Sequence, residues 1–136
     1  MSTTSELTNE QIILTTLLEK LSHVAETRSG YSAMGVADLK TPAILVQLET
    51  LSEVARMGEK ARFELKFAIT AVVRSSEAAT TELISLTHQI VTILNPARRL
   101  CPEVRKHTLS DTRFDIAPNY GQLSFADSTL TIEAVL

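Results

Sequence analysis

His23, His88, His107 and Cys101 are the side chains of this chain best suited to metal binding or nucleophilic chemistry, and their spacing argues against both. A protein zinc site draws on closely spaced Cys and His pairs. These three histidines stand far apart from one another, from the lone cysteine and from any cluster of carboxylates. On a helical wheel His23 falls on the polar side of a first helix and His88 on the flank of a second, both positions for surface residues. Cys101 sits beside Pro102 in an irregular stretch. A catalytic thiol needs a partnered base, and the plainer role of a small buried or half-buried side chain suits it better. Gly30 and Gly35 are too sparse for a phosphate loop and follow a helix rather than a strand. No two carboxylates stand at an interval that suggests acid–base work. The sequence therefore points away from an enzyme and names no metal or cofactor.

Charge is more informative than reactivity. The 136 residues carry a formal net charge of −3, which gives no reason to expect nucleic acid as a direct ligand. That charge is unevenly spread. Met1 to Thr27 hold four acids and one base, whereas Pro96 to Arg113 hold five bases (Arg98, Arg99, Arg105, Lys106, Arg113) and two acids (Glu103, Asp111). A polarised subunit suits head-to-tail association, in which unlike patches meet around a ring. A solvated basic loop is the competing reading, and nucleic-acid binding by this segment is weakened by the lack of interleaved aromatics. One cysteine rules out an internal disulfide and fits a reducing compartment. No basic-then-apolar leader is visible in "MSTTSELTNEQ", and no apolar run approaches the ~18 residues that would span a bilayer.

The elements that must position these groups follow from periodicity. "LTNEQIILTTLLEKLSHVAE" predicts an amphipathic helix of about five turns, with Thr8 as N-cap and Gln11 closing a capping box. Ile13, Leu14, Leu17, Leu18, Leu21, Val24 and Ala25 form its apolar side. Residues 1–6 are expected to be disordered, and a long loop is expected from Arg28 to Pro42. "AILVQLETLSEVAR" reads as a strand with Ile44, Val46 and Leu48 inward, "MGEKA" as a hairpin tip with Gly58 in the turn, and "RFELKFAITAVVR" as the return strand. A second helix follows, capped by Ser75 or Ser76 with Glu77 in its first turn, buried through Leu83, Leu86, Ile90, Ile93 and Leu94, flanked by Ile84 and Val91, and stopped at Asn95-Pro96. "ARRLCPEVRKH" is basic and irregular, and three short strands, "TRFDIA", "GQLSFA" and "TLTIEAVL", close the chain around turns at "PNY" and "ADS". The expected fold is one α+β domain of order α-β-β-α-β-β-β, with both helices on one face of a mainly antiparallel sheet.

The return strand raises a question. Phe63, Leu65, Phe67, Ile69, Ala71 and Val73 make one apolar row, but the opposite row is charged only at first (Arg62, Glu64, Lys66) and then bland (Ala68, Thr70, Val72). A sheet with one buried face should stay polar on the other. A subunit interface over Ala68, Thr70 and Val72 answers this economically, and a covering loop, Arg28 to Pro42, is the alternative. The apolar end "TLTIEAVL" likewise asks either for a place inside the sheet or for completion by a neighbouring subunit.

In element order the whole chain resembles the tail terminator proteins of long-tailed bacteriophages. The resemblance rests on the helix "LTNEQIILTTLLEKL", the long loop, the hairpin of "PAILVQLETL" with "RFELKFAITAVVR", the helix "EAATTELISLTHQIVTILN" and the closing "LSFADSTLTIEAVL". It implies a structural virion protein, assembled in the host cytoplasm, forming a hexameric ring that caps the tail tube and joins it to the neck. Its partners would be its own copies, the tail tube protein, a neck or head-closure protein and, in a contractile tail, the sheath protein. DNA would pass through the lumen without specific contacts. The tip residues Met57, Gly58, Glu59 and Lys60 would then reach for axial partners, and Arg98, Arg99, Arg105 and Lys106 would serve the rim or the contact between subunits. Two rivals stand beside it: another neck protein, such as a head-closure or tail-completion subunit, and a small ligand-binding α+β oligomer using the Gly30–Gly35 loop with Tyr31.

Overall fold

The computed structural model describes residues 7–30 and 40–135, except the side chain of Met57. The predicted covering loop and the Gly35 and Tyr31 ligand loop therefore fall mostly outside the described residues.

Helix α1 (Asn9–Ser22) starts as its sequence dictates. Thr8 Oγ1 accepts from the Gln11 N–H at 3.2 Å, and Gln11 Oε1 accepts from the Thr8 N–H at 2.8 Å, so each residue satisfies a donor the other leaves open. Ile13, Leu17 and Leu21 are fully buried. The helix ends earlier than the wheel suggests. The N–H groups of Val24 and Ala25 turn back to the Leu21 carbonyl, and the chain runs directly into strand β1 (Glu26–Ser29). Arg28 and Ser29 thus belong to a strand rather than to the loop expected from Arg28. "ETRS" has no apolar residue to announce it. It exists because it pairs in parallel with Ala43–Val46.

Strands β2 (Ala43–Met57) and β3 (Lys60–Arg74) form the predicted hairpin, with Gly58 at φ 67° in the turn. A Cβ at Gly58 would meet no heavy atom within 4 Å, so substitution there is opposed by backbone conformation alone. Gly58→Val should lower unfolding free energy by about 1–2 kcal/mol, the cost of a branched residue in the left-handed region, measured by chemical denaturation.

Helix α2 (Ala79–Ile93) begins later than predicted. Its N-cap is Ala78, and neither Ser75 nor Ser76 caps it in the expected way. Ser76 Oγ accepts from the Ala78 N–H at 3.1 Å, whereas Ser75 is buried and bonds to the Ser124 hydroxyl and the Ala117 carbonyl. Glu82, not Glu77, lies in the first turn. Strand β4 (Val104–Leu109) takes in the last four residues of the stretch expected to be irregular, and β5 (Arg113–Asp115) is a short part of "TRFDIA".

The last two predicted strands are one. β6 (Leu123–Val135) runs straight through the supposed "ADS" turn, with Ala126, Asp127 and Ser128 opposite Ala71, Thr70 and Ile69. Asp127, a turn former in isolation, is satisfied inside the strand by the Thr70 hydroxyl at 2.6 Å. The sheet order is β1-β2-β3-β6-β4, with β5 also on β6, and every pairing but β1–β2 is antiparallel. The fold is α+β, with two helices and a mainly antiparallel six-stranded sheet. Its element order gains β1 before the hairpin and otherwise follows the expected one in outline.

One hydrophobic cluster joins Ile13, Leu17 and Leu21 of α1 and Leu83, Leu86 and Ile90 of α2 to one pleat row of the sheet, including Ile44, Val46, Leu65, Phe67, Ile69, Leu130 and Ile132. A second, small cluster on the opposite row comprises Ala43, Leu45 and Val72, with Leu123 and Phe125 against it.

Candidate assembly surface

Strand β4 carries the basic segment to an edge of the sheet. Val104 and His107 are buried, and a register shift between Val104 and Lys106 breaks the period of two. Such a bulge re-aims side chains, and here Arg105 and Lys106, consecutive in sequence, both reach Glu133 on β6. Arg105 Nε lies 3.7 Å from Glu133 Oε1, and Lys106 Nζ 3.6 Å from Oε2. Arg62 Nη1 on β3 approaches the same carboxylate at 3.5 Å. Three cations therefore share one acid. Exposed pairs contribute only about 0–1 kcal/mol each, so the cluster's main effect is a surplus of positive charge rather than stability.

Two recesses gather more of that charge. One, of about 350 Å³, is lined by Ala55, Lys60, Ala61, Arg62, Arg105 and Val135. The other, of about 410 Å³, holds Arg99 and Glu103 beside Arg105 and Val135. The predicted residues Lys60, Arg99, Arg105 and Lys106 are thus brought to one corner of the sheet. Arg98 is exposed but lines neither recess, and Gly58 and Glu59 stand exposed at the hairpin tip. Arg62 and Glu133 were missed as members of this group. Period two places Arg62 on the outer row, but only the β3–β6 pairing shows that it meets Glu133.

The bland half of the outer row proves largely closed. Thr70 is 2% exposed and bonded to Asp127, and Val72 is 0% exposed against its own cluster. Neither presents a surface to a subunit, which corrects the interface expected there. Ala68 stays half-buried on a polar recess with Glu49, Arg113 and Asp127. The terminal strand is also explained within the chain, because β6 lies between β3 and β4.

Among the described residues the reactive groups compose no metal-binding cluster. His23 and His88 are exposed, as expected for surface residues. His107 is buried, with Nε2 2.9 Å from the Leu94 carbonyl, pinning β4 to the end of α2. Among the described residues no three His, Cys, Asp or Glu side chains gather as a metal site would require. Burial pushes the Cys101 thiol above its ordinary range, assisted by a hydrogen bond involving Glu103. A raised pKa means less thiolate at a given pH. Alkylation of Cys101 by iodoacetamide at pH 8 should be slower than that of free cysteine, with its rate–pH midpoint displaced upward.

Among the described residues the opposite edge of the sheet is open, and it is less basic. β1 stops opposite Val46, and from Gln47 to Met57 no described strand lies on the side of β2 away from β3. Leu48, Leu51 and Val54 along it are 39%, 45% and 48% exposed. β1 and β2 together carry three acids (Glu26, Glu49, Glu53) and two bases (Arg28, Arg56), whereas β4 carries two bases and no acid. No helix among the described residues is long and apolar enough to cross a membrane. No protein-family model matches the chain, and no curated protein shows significant similarity to it.

Proposed function

We propose that this chain is a structural virion protein, a tail terminator that closes into a ring of six copies, caps the tail tube and joins it to the neck. The observation that carries the reading is the uneven charge of opposite edges of one sheet, with Arg105 and Lys106 sharing one acid at β4 and, on β2, Glu49 beside a Glu53 that Arg56 holds at 2.6 Å. A subunit polarised in this way favours heterologous contact and penalises like-to-like pairing. In the ring both helices lie on one face of the sheet, a reading supported by the single cluster they share with its inner row. The hairpin tip at Gly58 and Glu59 meets the tube or neck protein, and in a contractile tail the rim also holds the sheath. DNA passes through the lumen without specific contacts, as the net charge of −3 favours. The ring belongs to the virion and assembles in the host cytoplasm.

Light-scattering mass on a sizing column, with negative-stain imaging, tests this. A species six times the 14.9 kDa chain with a central hole, or chains ordering on added tail-tube ends, is the expected result. A chain that stays monomeric both alone and with tubes would refute the reading.

A further inference from the structure

The two open edges stand at the same level of the sheet. Thr50 pairs with Lys66, Lys66 with Thr131 and Thr131 with Thr108. Ser52, Glu64, Glu133 and Lys106 form the next outer row in the same way, and Leu51, Leu65, Ile132 and His107 the inner row between them. These rows cross four strands, from the edge of β2 to the edge of β4, both without a described neighbour at this level. Because each step across the sheet reverses direction, β2 and β4 are themselves antiparallel. A copy placed beside the first by simple rotation about the strand direction would bring its β4 alongside β2 in antiparallel orientation, so the sheet would continue without a change of pattern.

We propose that the occupant of the β2 edge is β4 of a second copy of this chain, added as an antiparallel strand centred on Thr50–Glu53. This rests on the ring reading and supplies its seam. Three observations select this pairing. Charge is complementary, since Glu49 flanks the β2 edge, where Glu53 is already held by Arg56 at 2.6 Å, and Arg105 and Lys106 lie on β4, whereas β4 on β4 opposes like charges. Register shifts between Leu48 and Thr50 and between Glu53 and Ala55 leave a short regular run, which suits a strand as short as the six-residue β4 and discourages longer ones. Apolar cover is also supplied, because half-buried Leu109, on the inner row of β4 whose Val104 and His107 are already buried within the subunit, continues against the exposed Leu48 and Leu51.

The test is disulfide trapping in a Cys101→Ser background. Chains with Thr50→Cys or Ser52→Cys are each mixed with chains carrying Lys106→Cys or Thr108→Cys, and mildly oxidised after light scattering has established their assembly state. The seam predicts a cross-linked product of doubled chain mass in mixtures, dominant for Thr50→Cys with Thr108→Cys, and little from either variant alone. Assembled rings in which none of the four mixtures cross-links would overturn the seam and leave the ring reading standing. A chain monomeric at every concentration and on tube ends would overturn both. Parent-like circular dichroism of each variant excludes misfolding as the cause.

Discussion

Phe67→Ala will lower the free energy of unfolding by about 3–5 kcal/mol, the largest single-residue loss expected in this molecule. Phe67 is 1% exposed, central on β3, paired with Leu48 on one side and Leu130 on the other, and part of the cluster that both helices enter. Truncation removes the ring's transfer energy and leaves a cavity beside a sheet held by its own hydrogen bonds, which collapses poorly. Marginal stability makes that loss a large fraction of the total. Denaturant melts should show a lower midpoint with an unchanged slope. Val54→Ala is the control. At 48% exposure on an open edge it should move the same midpoint by less than about 0.5 kcal/mol. Equal effects from the two would refute the placement of the core.

Reversing Arg98, Arg99 and Arg105 to glutamate will abolish assembly while sparing the fold. All three side chains are exposed, and Arg105 alone has a described ion pair, 3.7 Å from Glu133, so the stability change should stay near 1 kcal/mol or below. The formal net charge moves from −3 to −9, and an edge proposed to meet acids in its neighbour would repel them. Scattering mass should fall to that of one chain at salt concentrations where the parent assembles. Adding Glu49→Lys and Glu53→Lys to the reversed chain should restore part of the assembly by exchanging the sign of both edges. Parent-like assembly of the triple variant would refute a role for this segment between subunits.

How far the sequence spoke depended on whether a residue's partner was local. The start of α1 was legible because Thr8 and Gln11 satisfy one another across three residues. The apolar row of β3 was legible because one strand carries it. Strand β1 was not, since "ETRS" takes its place entirely from Ala43–Val46. Strand β4 was hidden by its own bulge, which sets buried Val104 and His107 three positions apart and puts two basic residues between them. The break read at Asp127 was an error of the same kind, because Thr70 supplies the partner that a turn would otherwise have supplied. At the candidate surface, the basic residues were visible as a run, but their focus on Glu133 needed the β6 register.

The position of β6 also governs how the chain is made. It comes later in the chain than both strands it joins, β3 and β4, so until β6 is made β4 has no described strand to pair with and only β1, β2 and β3 can form sheet. Completing the sheet requires contacts such as Lys66 with Thr131, far apart in sequence, and pairing of this kind is slow. Until β6 docks, β3 presents an unpaired edge along Leu65, Phe67 and Ile69, and the β6 of another nascent copy fits it equally well. Crowded expression should therefore favour exchanged strands between copies, and slower synthesis should favour the correctly closed monomer.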